Sequence, residues 1–480
     1  MLFNSLDFAI FLPVVFILYW FVFNKTIRIQ NFLIVVASFT FYGWWDWRFL
    51  FLLLFSCLLD YTMGRLLLKE ENETKRKVIL WISICINLGF LGFFKYYNFF
   101  VDSFVNAFTF FGRSIQPNTL DIILPLGISF YTFQTLSYVI DVYRRKLEPT
   151  KDIVSFLAYV SFFPQLVAGP IERAINLLPQ FYVKRTFKYD KAIDGLKQIL
   201  WGLFKKMVIA DSCAQFVNTV FSSPDSYSGS TLLLGAVFFT IQIYGDFSGY
   251  SDIAIGTARL FGFNLMRNFA YPYFSRDLGE FWRRWHISLT TWFRDYLYNP
   301  LGGVTRNIPK RIRNIFIIFL VSGFWHGANW TYIIWGGLCA LATLPTLLLL
   351  NRRRKTPIVA QNTKLPSLRE TWEMFSTMLI ISVINIFFRS VDLHHAVSYL
   401  GRVFSFSLFS FPSFPSMDKS LLALIVIFFG MEWMGRKDQY AIQNTVVKFG
   451  KFPRYAFYYL LIFVIFYFAG VQQEFIYFQF

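Results

Sequence analysis

Histidine moves protons near neutral pH more readily than any other side chain. This chain of 480 residues has four: His286, His326, His394 and His395. His394 and His395 are adjacent in a segment that reads as an outer loop, and the expectation for them is solvated residues. There is no H-E-x-x-H, so a zinc protease site is not indicated. Neither is a soluble-type acyltransferase pattern of His with Asp five positions on, because Thr291 and Thr331 occupy those places. Cys57, Cys85, Cys213 and Cys339 are far apart with no ligand spacing. They read as buried, inert thiols rather than a metal or disulfide framework.

His326 lies in SGFWHGANW, residues 322–330, at the end of a long apolar run and between Gly323 and Gly327. An ionisable group at membrane depth is costly and is a functional hypothesis by default. A neutral imidazole, titrating near about 6.5, accepts a hydroxyl proton at physiological pH. An interhelical hydrogen bond is the plainer reading. His286 lies in GEFWRRWHISLTTWFRDYLYNP, residues 279–300. Read as one helix, Trp282, Trp285, Leu289 and Trp292 share a face, and Arg283, His286 and Thr290 share another. Such a helix would attract an anionic headgroup or a phosphate-bearing cofactor. Spacing alone favours a lipid-anchoring helix whose histidine is merely polar.

The elements that must position these residues are membrane spans. The chain is 56% apolar, 21% aromatic and only 15% charged, with mean hydropathy +0.47. About a quarter of the residues in an ordinary globular domain are charged, so a soluble enzyme, a disordered tail and a disulfide-stapled module are excluded. Continuous apolar runs indicate helices, not the alternating segments of a barrel. They place spans near 5–23, 30–45, 48–66, 78–100, 122–142, 207–222, 231–250, 314–330, 331–350, 373–390, 420–434 and 455–471. With the N-terminus outside, 40 of the 46 Lys and Arg residues fall on the inner side, as positive-inside topology requires. That sets both termini outside. The net charge of +18 then reflects topology, not nucleic-acid binding. Segment 153–169, broken by Pro164 and Gly169, reads as re-entrant or membrane-surface, and 263–300 as interfacial. No repeat or linker divides the chain, so 1–480 reads as one membrane-embedded domain. No Lys or Arg precedes Lys25, so residues 6–23 read as a first span, not a cleavable signal.

The stretches LPLGISFYTFQTLSYVIDVYRR (124–145), FFPQLVAGPIERA (162–174), EFWRRWHISLTTWFRDYLYNPLGG (280–303) and SGFWHGANW (322–330) resemble the bacterial membrane-bound O-acyltransferase family. The alginate and peptidoglycan O-acetyltransferase subunits are the nearer branch, and the teichoic-acid D-alanyl transfer proteins are more distant. The resemblance runs across nearly the whole chain. It implies an all-α bundle of about eleven or twelve spans around a central funnel in the bacterial inner membrane. By it, His326 matches the family's essential histidine and His286 a supporting one. It also implies a cytoplasmic thioester donor, acetyl-CoA or an acyl carrier protein, with no permanently bound cofactor. The acceptor would be an extracytoplasmic polysaccharide, reached with an SGNH-type acetyltransferase or esterase partner. Arg283, Arg284, Trp285 and Arg294 are then the expected donor-binding residues, within a basic inner face that suits an anionic donor.

The segment EFIYFQF, residues 474–480, follows the last span. Tyrosine-containing tails in relatives and small partner proteins are proposed to receive the acyl group. A phenol of pKa about 10 is a better leaving group than an alcohol. Tyr477 is therefore a candidate acyl acceptor, with an interfacial aromatic anchor as the alternative. Among other polar residues near spans, Gln134 and Asp246 are candidates for lining a cavity, with pairing between helices an equal alternative. The rival function is a transporter or flippase using the histidines as a proton relay. It expects paired broken repeats, which the sequence lacks.

Overall fold

A computed structural model describes residues 1–110, 119–167, 169–349, 358–469 and 473–476. Among these, every regular element is helical, as the apolar runs require: backbone groups in hydrocarbon must be satisfied within their own segment. The elements are α1 (Leu6–Val22), α2 (Ile27–Gly43), α3 (Phe49–Lys69), α4 (Glu73–Phe110), α5 (Ile128–Tyr143) and α6 (Ile153–Ser161). Next come α7 (Tyr189–Leu203), a π-helical stretch Phe204–Ala210, α8 (Asp211–Ser222) and α9 (Gly229–Leu260). Then follow α10 (Leu278–Arg284), α11 (Ile287–Phe293), α12 (Ile308–His326), α13 (Trp330–Leu349) and α14 (Leu368–Arg389). Last are α15 (Leu393–Val403), α16 (Ser420–Met434) and α17 (Lys451–Phe468). By length and composition, α3, α4, α9 and α14 suffice to cross a membrane, and α1, α2 and α16 are shorter apolar helices.

The contacts fall into two units: Met1–Gly195 with Thr257–Met266, and Leu196–Gly256 with Arg267–Phe480. In the first, α3 and α4 pack on α5, and α2 packs on α6. The expected interruption of 153–169 is observed, with α6 ending at Ser161 and a separate short turn at Phe163–Leu166. Two buried polar side chains in this unit show how such groups are matched away from water. Asp60 on α3 accepts from Ser83 at 2.6 Å and from Asn87 at 3.0 Å. Gln134 donates to the Tyr159 carbonyl at 2.9 Å.

The second unit holds both buried histidines. Its densest packing is between α12 and α13, with α14 against α13 and α17 against the π-helical stretch. The α12–α13 crossing needs glycine: a Cβ at Gly323 would run into the Tyr332 carbonyl, and one at Gly336 into the Phe319 carbonyl. Two expectations are corrected here. Cys57, Cys213 and Cys339 are buried, but Cys85 lies on an outward face of α4. His394 and His395 sit in the first turn of α15, not in a loop; Asp392 caps that helix, and His395 Nε2 lies 2.9 Å from the Phe221 carbonyl. Lys205 and Lys206, which sequence reasoning did not single out, are 3% and 1% exposed, inside a helical run continuous with α7 and α8.

Candidate active site

His326 is the last residue of α12. Asn307 caps the other end of this helix by accepting from the Lys310 N–H at 3.1 Å. At Gly327 the chain turns extended and ends the helix, and Asn329 starts α13 by accepting from the Thr331 N–H at 3.0 Å. The His326 ring is therefore held at a helix terminus, where it meets side chains of three helices. Trp335 of α13 and Phe388 of α14 each present an edge-on ring at 5.3 Å, and Trp325 lies at 5.0 Å. Trp335 is fixed in turn by donating to Asn385 at 3.1 Å, and Asn385 donates to Thr240 at 3.2 Å. His326 is 5% exposed. An aromatic wall of this kind excludes water from the ring.

His286 does not sit on a continuous helix. The expected 279–300 helix breaks after Arg284: α10 stops, His286 adopts left-handed backbone (φ 43°), and α11 starts at Ile287. The shared face of Arg283, His286 and Thr290 is thereby overturned. The break is held open by the irregular segment 267–271. The Ile287 N–H donates to the Asn268 carbonyl at 2.8 Å, and the Ala270 N–H to the Arg284 carbonyl at 2.9 Å. Left-handed backbone at a non-glycine residue is strained and tends to mark functional sites.

Asn268 fixes the tautomer of His286. Its Oδ1 accepts the backbone N–H of Ser288 at 3.3 Å and the Ser288 hydroxyl at 2.9 Å. Its Nδ2 donates to Ser251 at 3.1 Å. A backbone N–H only donates, so this side-chain atom is the oxygen, and His286 Nδ1, 3.1 Å away, carries the proton. The lone pair of the neutral ring is then on Nε2. Phe247 is edge-on to the ring at 4.7 Å, and Trp325 lies at 6.1 Å. Both histidines thus border the same tryptophan.

The four expected donor-binding residues separate. Arg283 and Arg294 face outward, and Arg294 pairs with its neighbour Asp295 at 2.9 Å. Arg284 is buried and bonds Glu280 at 2.6 Å, while Glu280 also takes Arg276 at 3.0 Å. Burial pushes the Glu280 carboxyl up, but the Arg276 hydrogen bonds and the Arg284 charge outweigh it and hold it below the usual range. Trp285 is stacked on Phe281 at 5.5 Å and meets Phe269 edge-on at 5.1 Å. Arg284 and Trp285 therefore brace the helix break. Tyr477 lies outside the described residues.

Sequence reasoning missed Asn268, Lys205 and Lys206. A small cleft, with room for about one water molecule, is lined by Lys205, Tyr244, Asp252, Arg267, Asn268 and Glu432, among others. It shares Asn268 with His286. Lys205 pairs with Asp252 and bonds Ser248 at 2.9 Å, and Tyr244 donates to Glu432. Asp246, expected at a cavity, pairs with Lys206 at 2.7 Å. Among the described residues no cluster of His, Cys, Asp and Glu could hold a metal ion.

The geometry can be set beside known proteins. The profile of the MBOAT, membrane-bound O-acyltransferase family matches residues 149–390, which include both buried histidines. The "Probable alginate O-acetylase AlgI" of Pseudomonas putida is 38% identical over 449 residues, covering 92% of this chain and 88% of that protein. The "Peptidoglycan O-acetyltransferase" of Helicobacter pylori is 37% identical over 374 residues, covering 71% and 69%. The "Teichoic acid D-alanyltransferase" of Streptococcus thermophilus is 29% identical over 255 residues, covering 50% and 61%.

Proposed function

The chain belongs to the membrane-bound O-acyltransferase family and is a multi-pass membrane O-acyltransferase, and from that premise we propose its donor, its acceptor and its catalytic base. The acyl group is acetyl, carried by a cytoplasmic thioester, acetyl-CoA or an acyl carrier protein. It is destined for hydroxyls of an extracytoplasmic polysaccharide, with an SGNH-type partner completing the transfer. The relatives named for alginate and peptidoglycan O-acetylation support this choice of acceptor class. The enzyme works in the bacterial inner membrane with both termini outside, as the distribution of basic residues favours.

His326 is the general base. It removes the proton from the accepting hydroxyl as the oxygen attacks the thioester carbonyl; the carbon–sulfur bond then breaks and the thiolate leaves, taking up a proton. General-base action contributes about 10²–10⁴-fold, so positioning and charge stabilisation supply the rest of the rate. His286, with its proton fixed on Nδ1 and its ring beside Trp325, aligns the donor. Arg283 and Arg294, the two outward guanidinium groups, attract the anionic donor. The first acceptor is the phenol of Tyr477, and the resulting aryl ester hands the acyl group onward.

The observation that carries this reading is the seat of His326: an imidazole at a helix end, walled by Trp325, Trp335 and Phe388 and sharing Trp325 with His286. The test uses purified protein with labelled acetyl-CoA or acetyl-carrier protein. Thiol should be released from one donor, and mass spectrometry should find an added acetyl group on the peptide containing Tyr477. Thiol release with no labelled Tyr477 in an active, trapped enzyme would show direct transfer. No release from either donor would overturn the proposed donor class.

A further inference from the structure

The π-helical stretch Phe204–Ala210 carries two adjacent lysines, and the structure buries both. It lies hard against α9. A Cβ on Gly202 would come within 2.6 Å of the Gly249 carbonyl, and one on Gly249 within 2.8 Å of the Gly202 carbonyl. Only glycines allow that approach, which brings Lys206 to Asp246 on α9. Lys206 Nζ lies 2.7 Å from both Asp246 and Asp211.

This cluster also grips another part of the chain. Lys206 donates to the Gln473 carbonyl at 3.0 Å. Asp246 Oδ2 accepts the Ile476 N–H at 2.7 Å, and Asp211 accepts from the Gln473 backbone. All three contacts on the segment 473–476 are to its main chain, so they fix its path and register whatever its side chains are. Phe475 and Ile476 are 0% and 3% exposed. The Phe475 ring lies 4.1 Å from Tyr250 and 6.0 Å from Phe247, the same Phe247 that meets His286 edge-on. A buried lysine with two carboxylates is expensive unless every charge is matched. Here the matching is completed by the backbone of 473–476. π-Helical segments recur at functional sites because they redirect side chains that an α-helix would turn away.

We propose that Lys206, Asp211 and Asp246 form a docking clamp for the segment 473–476, and that acyl transfer depends on the clamp holding that segment beside the His286 wall. These are positioning residues: they act on the reaction through the main chain they hold. The consequence for transfer rests on the reading above that the residue after Ile476, Tyr477, takes the acyl group; the clamp itself does not.

The test uses the full chain in nanodiscs, with hydrogen exchange and acyl transfer measured on the same preparations. The peptide covering 473–476 should be protected in the unaltered protein. Lys206→Met removes the central charge, and Ile476→Pro removes one tail donor while leaving the three clamp side chains intact. Each should speed exchange of that peptide by at least about tenfold, from the loss of a charge-assisted hydrogen bond. Transfer to acceptor should fall while thiol release by water persists, and Lys206→Arg should restore part of both. If Lys206→Met loosens α9 as well, the Ile476→Pro result decides. A fast-exchanging tail in the unaltered protein overturns the clamp. So does a released tail with normal transfer, or lost transfer with a protected tail. His326→Ala separates the two ideas: the tail should stay protected although transfer is lost.

Discussion

Replacing Asn268 by Ala should disable the enzyme without touching either histidine. The change deletes the acceptor of the His286 Nδ1 proton, the acceptor of the Ser288 N–H and hydroxyl, and the donor to Ser251. Each net hydrogen bond is worth about 0.5–1.5 kcal/mol, and a buried donor left without its partner costs about 1–3 kcal/mol. A loss of about 2–4 kcal/mol in folding stability follows, which a detergent melting curve reads directly. The effect on chemistry is separate. If orientation of the imidazole is worth about 1.5–3 kcal/mol in the transition state, transfer falls by roughly 10–150-fold, since each 1.36 kcal/mol is tenfold in rate. Asn268→Asp distinguishes the two effects: its carboxylate still accepts from His286 and Ser288 but cannot donate to Ser251. It should recover most of the transfer lost in the Ala variant while remaining less stable than the parent. Single-turnover transfer from labelled donor, normalised to folded protein, is the assay. Activity of Asn268→Ala within twofold of the parent at equal folded fraction would refute a positioning role for this network.

Other substitutions probe the frame of the site. Gly323→Ala drives a methyl into the Tyr332 carbonyl and should cost about 1–3 kcal/mol of stability by overpacking. Gly337→Ala meets only Leu320 at 3.8 Å and should stay within about 0.5 kcal/mol of the parent in the same melts. Arg284→Met leaves Glu280 with Arg276 alone and should lower the melting temperature. Arg283→Ala and Arg294→Ala should leave it unchanged but raise the donor KM and weaken its dependence on ionic strength. Because the folded Glu280 carboxyl is held below its unfolded value of 4.5, it adds stability above that pH and loses it as pH falls through the folded value. Glu280→Gln should therefore flatten the stability curve below about pH 4.5, seen as a smaller acid-side shift in melting temperature.

The helical class and the buried, helix-end position of His326 were legible in the sequence for one reason. A lone ionisable residue between glycines at the end of an apolar run has few structural explanations. His286 was found, but its geometry was not. Periodicity assumes an unbroken helix, and no Gly or Pro between residues 284 and 287 announces the left-handed turn. What breaks the helix is Asn268 on a separate, irregular segment, a tertiary contact that no local pattern encodes. Lys205 and Lys206 were missed because a basic pair beside an apolar run looks like a positive-inside flank. Their partners Asp246 and Asp252 stand some forty residues away, so spacing could not join them. Arg284 and Trp285, read as surface groups for a donor, are interior braces, because the broken helix turns them inward.

Single-turnover acetyl transfer by His326→Ala, at equal expression and equal melting temperature, bears most directly on the reaction proposed for this chain. The expected outcome is retention of donor binding with transfer reduced to no more than a few per cent of the parent. Transfer near the parental rate would mean that the proton of the acceptor hydroxyl goes elsewhere, and that the aromatic seat of residue 326 serves packing alone.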